Sequence, residues 1–110
     1  AKYVEEGSEL IVPADVPADV QAEIQRIAVE AFIALDLAGL ARVDFFLDTD
    51  TGQVLLNEIN TMPGFTSISM YTKLWGAAGL EYRALIDRLI ELALARHREK
   101  RAIAAKLTRQ

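Results

Sequence analysis

The stretch ARVDFFLDTDTGQVLLNEINTMPGF, residues 41–65, decides the fold. On either side of the turn-forming TDTGQ, two segments alternate with a period of two, the pattern of half-buried strands. In the first segment Val43, Phe45 and Leu47 take one side, and Arg42, Asp44 and Phe46 take the other. In the second, Leu56, Glu58 and Asn60 share one side, and Leu55, Asn57 and Ile59 share the opposite one. The reading is a β-hairpin, with Gly52 free to take positive φ in the loop. If Thr49 to Gln53 form a five-residue loop and Asp48 faces Val54, then Asp44 lies opposite Glu58 and Arg42 opposite Asn60. Like charges placed directly opposite destabilise a strand pair by a few tenths up to about 1 kcal/mol. A cation is therefore expected between the two carboxylates.

Downstream, TMPGFTS is a Pro-Gly turn rich in hydroxyls. It leads into SISMYTKLWGAAGL, which reads as a short helix with a serine-rich start, ended by Gly76 or Gly79. EYRALIDRLIELALARH follows as a second helix, with Leu85, Leu89 and Leu92 on one stripe and Ile86, Ile90 and Ala93 beside it. Upstream, two prolines in IVPADVP break any helix before ADVQAEIQRIAVEAFIALDLAGL. There Val20, Ile24, Ile27, Ala31 and Leu35 recur at helical spacing, which predicts a helix from about Pro17 to Leu37 with Gly39 as the stop. The first ten residues alternate like a strand around Tyr3 and Val4. The order βαββαα with antiparallel pairing predicts an α+β fold.

Asp44, Glu58 and Asn60 offer only oxygen donors, from one face of one hairpin. Such hard ligands suit Mg2+ or Mn2+, and a partly filled shell leaves room for phosphate oxygens. The same residues also fit a solvated acidic face on a half-exposed sheet. Arg42 sits one pair further along, where it could meet a phosphoryl group or close a salt bridge to Asp44 or Glu58. The turn offers backbone N–H groups at Gly64 and beyond, and the helix that follows presents its positive end near Ser67 to Ser69, an anion site or an ordinary serine cap. Trp75 and Phe32 read as core, and His97 receives no role. No Gly-rich phosphate loop is present, so whatever covers a nucleotide is expected outside this chain.

The chain has 110 residues, one domain at most, and its 52% apolar content fits a piece with a face made to pack on further structure. It contains no cysteine, which excludes disulfides and thiolate metal sites and accords with a reducing, cytoplasmic location. Its longest apolar run falls well short of the roughly 18 residues a membrane span needs, so no membrane partner is expected. Residues 1–95 carry a balance of −9 and residues 96–110 one of +5, within a net charge of −4. The acidic body argues against nucleic acid, and the basic end lacks aromatic residues for base stacking.

RVDFFLD, then NEINTMPGFTSISMY and KLW, resembles the C-terminal part of the D-alanine-D-alanine ligase family, bacterial cell-wall enzymes of the ATP-grasp fold. AKYVEEGSE is similar to the segment where that family's mobile substrate loop gives way to a strand. The likeness runs from about Lys2 to Arg96. It implies residues 1–97 as the C-terminal half of an ATP-grasp domain and residues 98–110 as a basic tail. It also implies ATP and two Mg2+ (or Mn2+) ions as cofactors, with Asp44, Glu58 and Asn60 as metal ligands. Arg42 is implied to stabilise the transferring phosphoryl group and the tetrahedral intermediate, with the Gly64 N–H. Ser69 and the backbone of Met70 are implied to bind the carboxylate of a second D-alanine, Lys2 the ATP phosphates, and Tyr3 to fix the substrate loop. Phe46 is implied to line the adenine pocket.

The implied reaction makes D-alanyl-D-alanine for peptidoglycan through an acyl phosphate, in a homodimeric enzyme whose N-terminal and central parts lie outside this chain. D-Alanyl-D-lactate or another carboxylate-amine product is one alternative, and a non-catalytic metal- or nucleotide-binding domain is another. Two features depart from the family. Thr72 stands where many relatives have proline, which concerns the shape of the helix start, and the basic end past His97 is longer than usual.

Overall fold

The computed structural model describes residues 10–108. The strand expected around Tyr3 lies outside the described residues, as does Lys2. The elements run α1 (Ala18–Ala34), β1 (Arg42–Leu47), β2 (Val54–Asn60), α2 (Met70–Ala77) and α3 (Tyr82–Thr108). The α+β expectation holds, with the strands forming a two-stranded antiparallel sheet among the described residues.

α1 stops earlier than Leu37, and Gly39 is not what stops it. Asp36 takes the left-handed conformation at φ 53°. The Asp36 N–H then donates to the Ile33 carbonyl and the Leu37 N–H to the Phe32 carbonyl. This paired closure is the Schellman arrangement, and aspartate tolerates it better than most residues do. α2 ends the same way, with Gly79 at φ 98° while Gly79 N–H donates to Gly76 and Leu80 N–H to Trp75. Gly79 is thus the stop, and Gly76 remains inside the helix.

The hairpin register is correct at one end and shifted at the other. Arg42 pairs with Asn60, Val43 with Ile59 and Asp44 with Glu58, as expected. A bulge follows, leaving Asn57 without a partner, so that Phe45 pairs with Leu56, Phe46 with Leu55 and Leu47 with Val54. Asp48 therefore faces Gln53, to which it is joined by an N–H to carbonyl bond of 2.9 Å. Because side chains alternate, one unpaired residue exchanges the faces beyond it. Leu55, not Leu56, consequently joins Phe46 on the side of Asp44 and Glu58.

Few residues are buried: Pro63, Tyr71, Thr72 and Leu85 among those described. They cluster where the Pro-Gly turn meets α2 and the first turn of α3. Phe65 stacks obliquely on Tyr71 and Tyr82, with ring centroids 5.8 and 5.7 Å apart. The best-packed part of the chain is thus the support of the hydroxyl turn. Leu85 is 2% exposed. Leu85→Ala is expected to lower unfolding free energy by about 2–5 kcal/mol, read as a fall in the denaturant midpoint at constant slope.

Elsewhere the apolar surface is open. Val29 and Ile33 on α1, and Leu74 and Trp75 on α2, are exposed, so the expected core position of Trp75 is not observed. A groove of about 580 Å³ lies between α1, β1 and α2, lined by Ile24, Ala28, Val43, Phe45, Leu74 and Trp75 among others. It sits chiefly behind the hairpin, and no carboxylate lines it. α3 continues unbroken past His97, with Ile103 and Leu107 exposed. No helix among the described residues is long and apolar enough to cross a membrane.

Candidate active site

The polar face of the hairpin starts from Arg42. Its Nε donates to Asp44 Oδ1 at 2.9 Å and one terminal nitrogen donates to Asp44 Oδ2 at 3.0 Å, a two-point fork within one strand. The pair is half-buried, with side chains 25% and 30% exposed. The hydrogen bonds to Asp44 raise the Arg42 pKa above its ordinary value; burial opposes this, and the charges of Asp44 and Glu58 add to it. Arg42 thus places a positive charge beside the carboxylate pair, bonded to Asp44 and influenced by Glu58 across the strands.

Asn60, opposite Arg42, accepts the Met62 N–H on its side-chain oxygen at 3.0 Å. This bond orients the amide at the point where the strand becomes the turn, and the oxygen keeps a second lone pair. Among the described residues, no group of three or more His, Cys, Asp or Glu side chains is arranged to hold a metal. The candidate set contains only two carboxylates, and Asn60 supplies the third donor as an amide oxygen. Three oxygen donors with one competing arginine suit a hard divalent cation that also binds phosphate.

Beyond Asn60 the turn brings Gly64 against Ser69. A Cβ built on Gly64 would stand 3.3 Å from the Ser69 hydroxyl, tighter than most such contacts. The Gly64 backbone and Ser69 thus occupy one small region, although they are five positions apart. Ser69 has the backbone of an N-cap but makes no side-chain cap bond. Instead its hydroxyl accepts the Thr66 N–H at 3.0 Å and lies 2.8 Å from the Thr66 hydroxyl. The ordinary-cap reading of Ser69 is therefore replaced by a turn-internal one. Its side chain leaves the first N–H groups of α2, Met70 among them, uncapped.

Phe46 and Leu55 form an exposed cross-strand pair beside the polar set, 61% and 49% exposed. Sequence reading missed Leu55, because the bulge that brings it there has no Gly or Pro to mark it. It also missed Thr66, whose backbone and hydroxyl both engage Ser69. Lys2 and Tyr3 lie outside the described residues.

The chain matches the family model for the D-ala D-ala ligase C-terminus over residues 1–91. It is 53% identical over 100 residues to the D-alanine-D-alanine ligase of Heliobacterium modesticaldum, covering 91% of this chain and 27% of that relative. Its structure resembles that of the D-alanine-D-alanine ligase of Coxiella burnetii, with a TM-score of 0.80, 49% identity, and coverage of 84% of this chain and 26% of that one. It also resembles the Bacillus anthracis D-alanine-D-alanine ligase complexed with ATP, with a TM-score of 0.71, 31% identity, and coverage of 78% and 30%. The chain thus spans about a quarter of the length of the relatives it matches.

Proposed function

Since the chain belongs to the D-alanine-D-alanine ligase family, as its C-terminal part, we propose that it forms half of the ATP-grasp site of a ligase making D-alanyl-D-alanine. The observation that carries this reading is the Arg42–Asp44 fork facing Glu58 and Asn60, on a hairpin that runs directly into the Gly64–Ser69 turn. One face thereby joins a phosphate-type site to an anion site, as a reaction passing from ATP to a carboxylate requires.

In the first step a carboxylate oxygen of one D-alanine attacks the terminal phosphorus of ATP, the bond to ADP breaks, and an acyl phosphate forms. In the second, the neutral amine of another D-alanine attacks the acyl carbon and gives up a proton to solvent, and phosphate leaves with the electron pair of the broken C–O bond. Asp44, Glu58 and Asn60 would hold Mg2+ or Mn2+, two ions by family analogy. A bound divalent ion neutralises phosphate charge in such sites.

Arg42 exchanges its fork with Asp44 for the transferring phosphoryl group, then steadies the oxyanion together with the Gly64 N–H. Such preorganised donors supply much of the rate in charge-developing reactions. Ser69 and the Met70 N–H hold the carboxylate of the acceptor. If Thr66 donates in the hydroxyl pair, the Ser69 proton remains available for that carboxylate. Phe46 and Leu55 form an apolar floor for the adenine. Lys2 would reach the phosphates and Tyr3 the substrate loop.

The exposed faces of α1 and α2 are where the rest of the ligase packs, and the 110 residues alone are expected to be inactive. The reading is tested by supplying the full-length protein with ATP, Mg2+ and D-alanine, with D-lactate in competition, and identifying products by mass. D-Alanyl-D-alanine as the main product supports it. A D-lactate ester would redirect the acceptor assignment, and no D-alanine-dependent product would reject the ligase reading.

A further inference from the structure

We propose that Thr72 is a positioning residue for the acceptor subsite, its buried hydroxyl fixing the turn that presents Ser69 and the Met70 N–H. Thr72 is 5% exposed, a buried hydroxyl beside the equally buried Tyr71. A buried hydroxyl needs a partner, and threonine in a helix commonly bonds a carbonyl three or four residues back. The 2.9 Å contact with the Ser69 carbonyl fits that habit. The second contact does not, because Thr72 Oγ1 also donates to the carbonyl of Thr66, six residues back and outside the helix. The single hydroxyl proton is shared between these two oxygens, which ties the first turn of α2 to the loop before it.

Thr66 is the link to the ligand. Its carbonyl accepts the Ser69 N–H at 3.1 Å as well as the Thr72 hydroxyl. Its own N–H and hydroxyl both engage Ser69 Oγ. The direction of the Ser69 hydroxyl therefore depends on where Thr66 sits, and Thr72 is the buried anchor for Thr66. Thr72 itself contacts no substrate in this account. Its effect is geometric, and displacement of a ligand group by about 1 Å can cost up to about 100-fold.

This inference rests on the reading of Ser69 and Met70 as acceptor ligands, so the test includes Ser69→Ala. In the full-length enzyme, initial rates across D-alanine concentration resolve the two half-saturation constants. Thr72→Val, which keeps the shape and removes the hydroxyl, is expected to raise the acceptor constant about ten-fold, the equivalent of one lost hydrogen bond. The donor and ATP constants should stay within about two-fold, and Thr72→Ser should restore the acceptor constant. A purely structural role would lower the melting temperature and leave this split unmoved.

If the valine variant does not fold, Thr72→Cys keeps the bulk with a weak donor and should give an intermediate rise. An acceptor constant equal to wild type in whichever of these two variants folds, beside a raised one in Ser69→Ala, overturns the role of Thr72 alone. An unchanged constant in Ser69→Ala overturns the subsite reading and the inference with it.

Discussion

Arg42→Ala, made in the full-length enzyme, is expected to lower turnover by about 100- to 1000-fold, the usual cost of removing one preorganised electrostatic group. Arg42 is held in place by two hydrogen bonds to Asp44, so its guanidinium is already oriented on the polar face. The pair is partly open to solvent, and such ion pairs contribute about 0–1 kcal/mol to stability. The variant should therefore fold normally, with the loss appearing in the rate. Arg42→Lys should recover only part of it, because an ammonium does not reproduce the planar fork. The check is steady-state turnover beside a thermal melt. Near-normal turnover at saturating magnesium would remove Arg42 from the site.

Asp44→Ala is the second large effect. It removes a ligand oxygen from the proposed metal set and frees Arg42 from its fork, so two parts of the site change together. Turnover is expected to fall by about 100- to 1000-fold, and the magnesium concentration needed for half-maximal rate should rise. The rise separates this variant from Arg42→Ala, whose magnesium dependence should change little. A titration of rate against magnesium in both variants reads the difference. Identical magnesium curves would argue against Asp44 as a metal ligand.

The site end of the hairpin matches the expected register although its premise does not hold: Asp48 faces Gln53 rather than Val54, which makes the loop one residue shorter than expected, and the unpaired Asn57 restores the pairing of Asp44 with Glu58 and of Arg42 with Asn60. The loop end was not legible. Nothing in VLLNEIN marks the unpaired Asn57, and without the bulge Leu56 would take the place that Leu55 occupies. The end of α1 was missed for a related reason, since Asp36 does the work that glycine usually advertises.

Ser69 shows a different limit. A serine before a helix reads as a cap, and only the fold reveals that its hydroxyl turns back to Thr66. Thr72 first appears as a departure affecting the shape of the helix start. Its hydroxyl bond to a carbonyl six residues back depends on the tertiary closure of the turn, which local pattern does not encode. Trp75 was expected inside and is 42% exposed, because it lines the open groove between α1, β1 and α2 rather than a closed core.

The most direct test of the hairpin as the phosphoryl-transfer site is Glu58→Gln in the full-length enzyme. Phosphate release and dipeptide formation would be measured together, with ATP, Mg2+ and D-alanine. Glutamine keeps the size of the side chain and removes the charge, so an unchanged melting temperature would separate chemistry from folding. D-Alanine-dependent phosphate and D-alanyl-D-alanine are both expected to collapse. Wild-type rates of both, from a normally folded variant at saturating magnesium, would contradict that role of the hairpin.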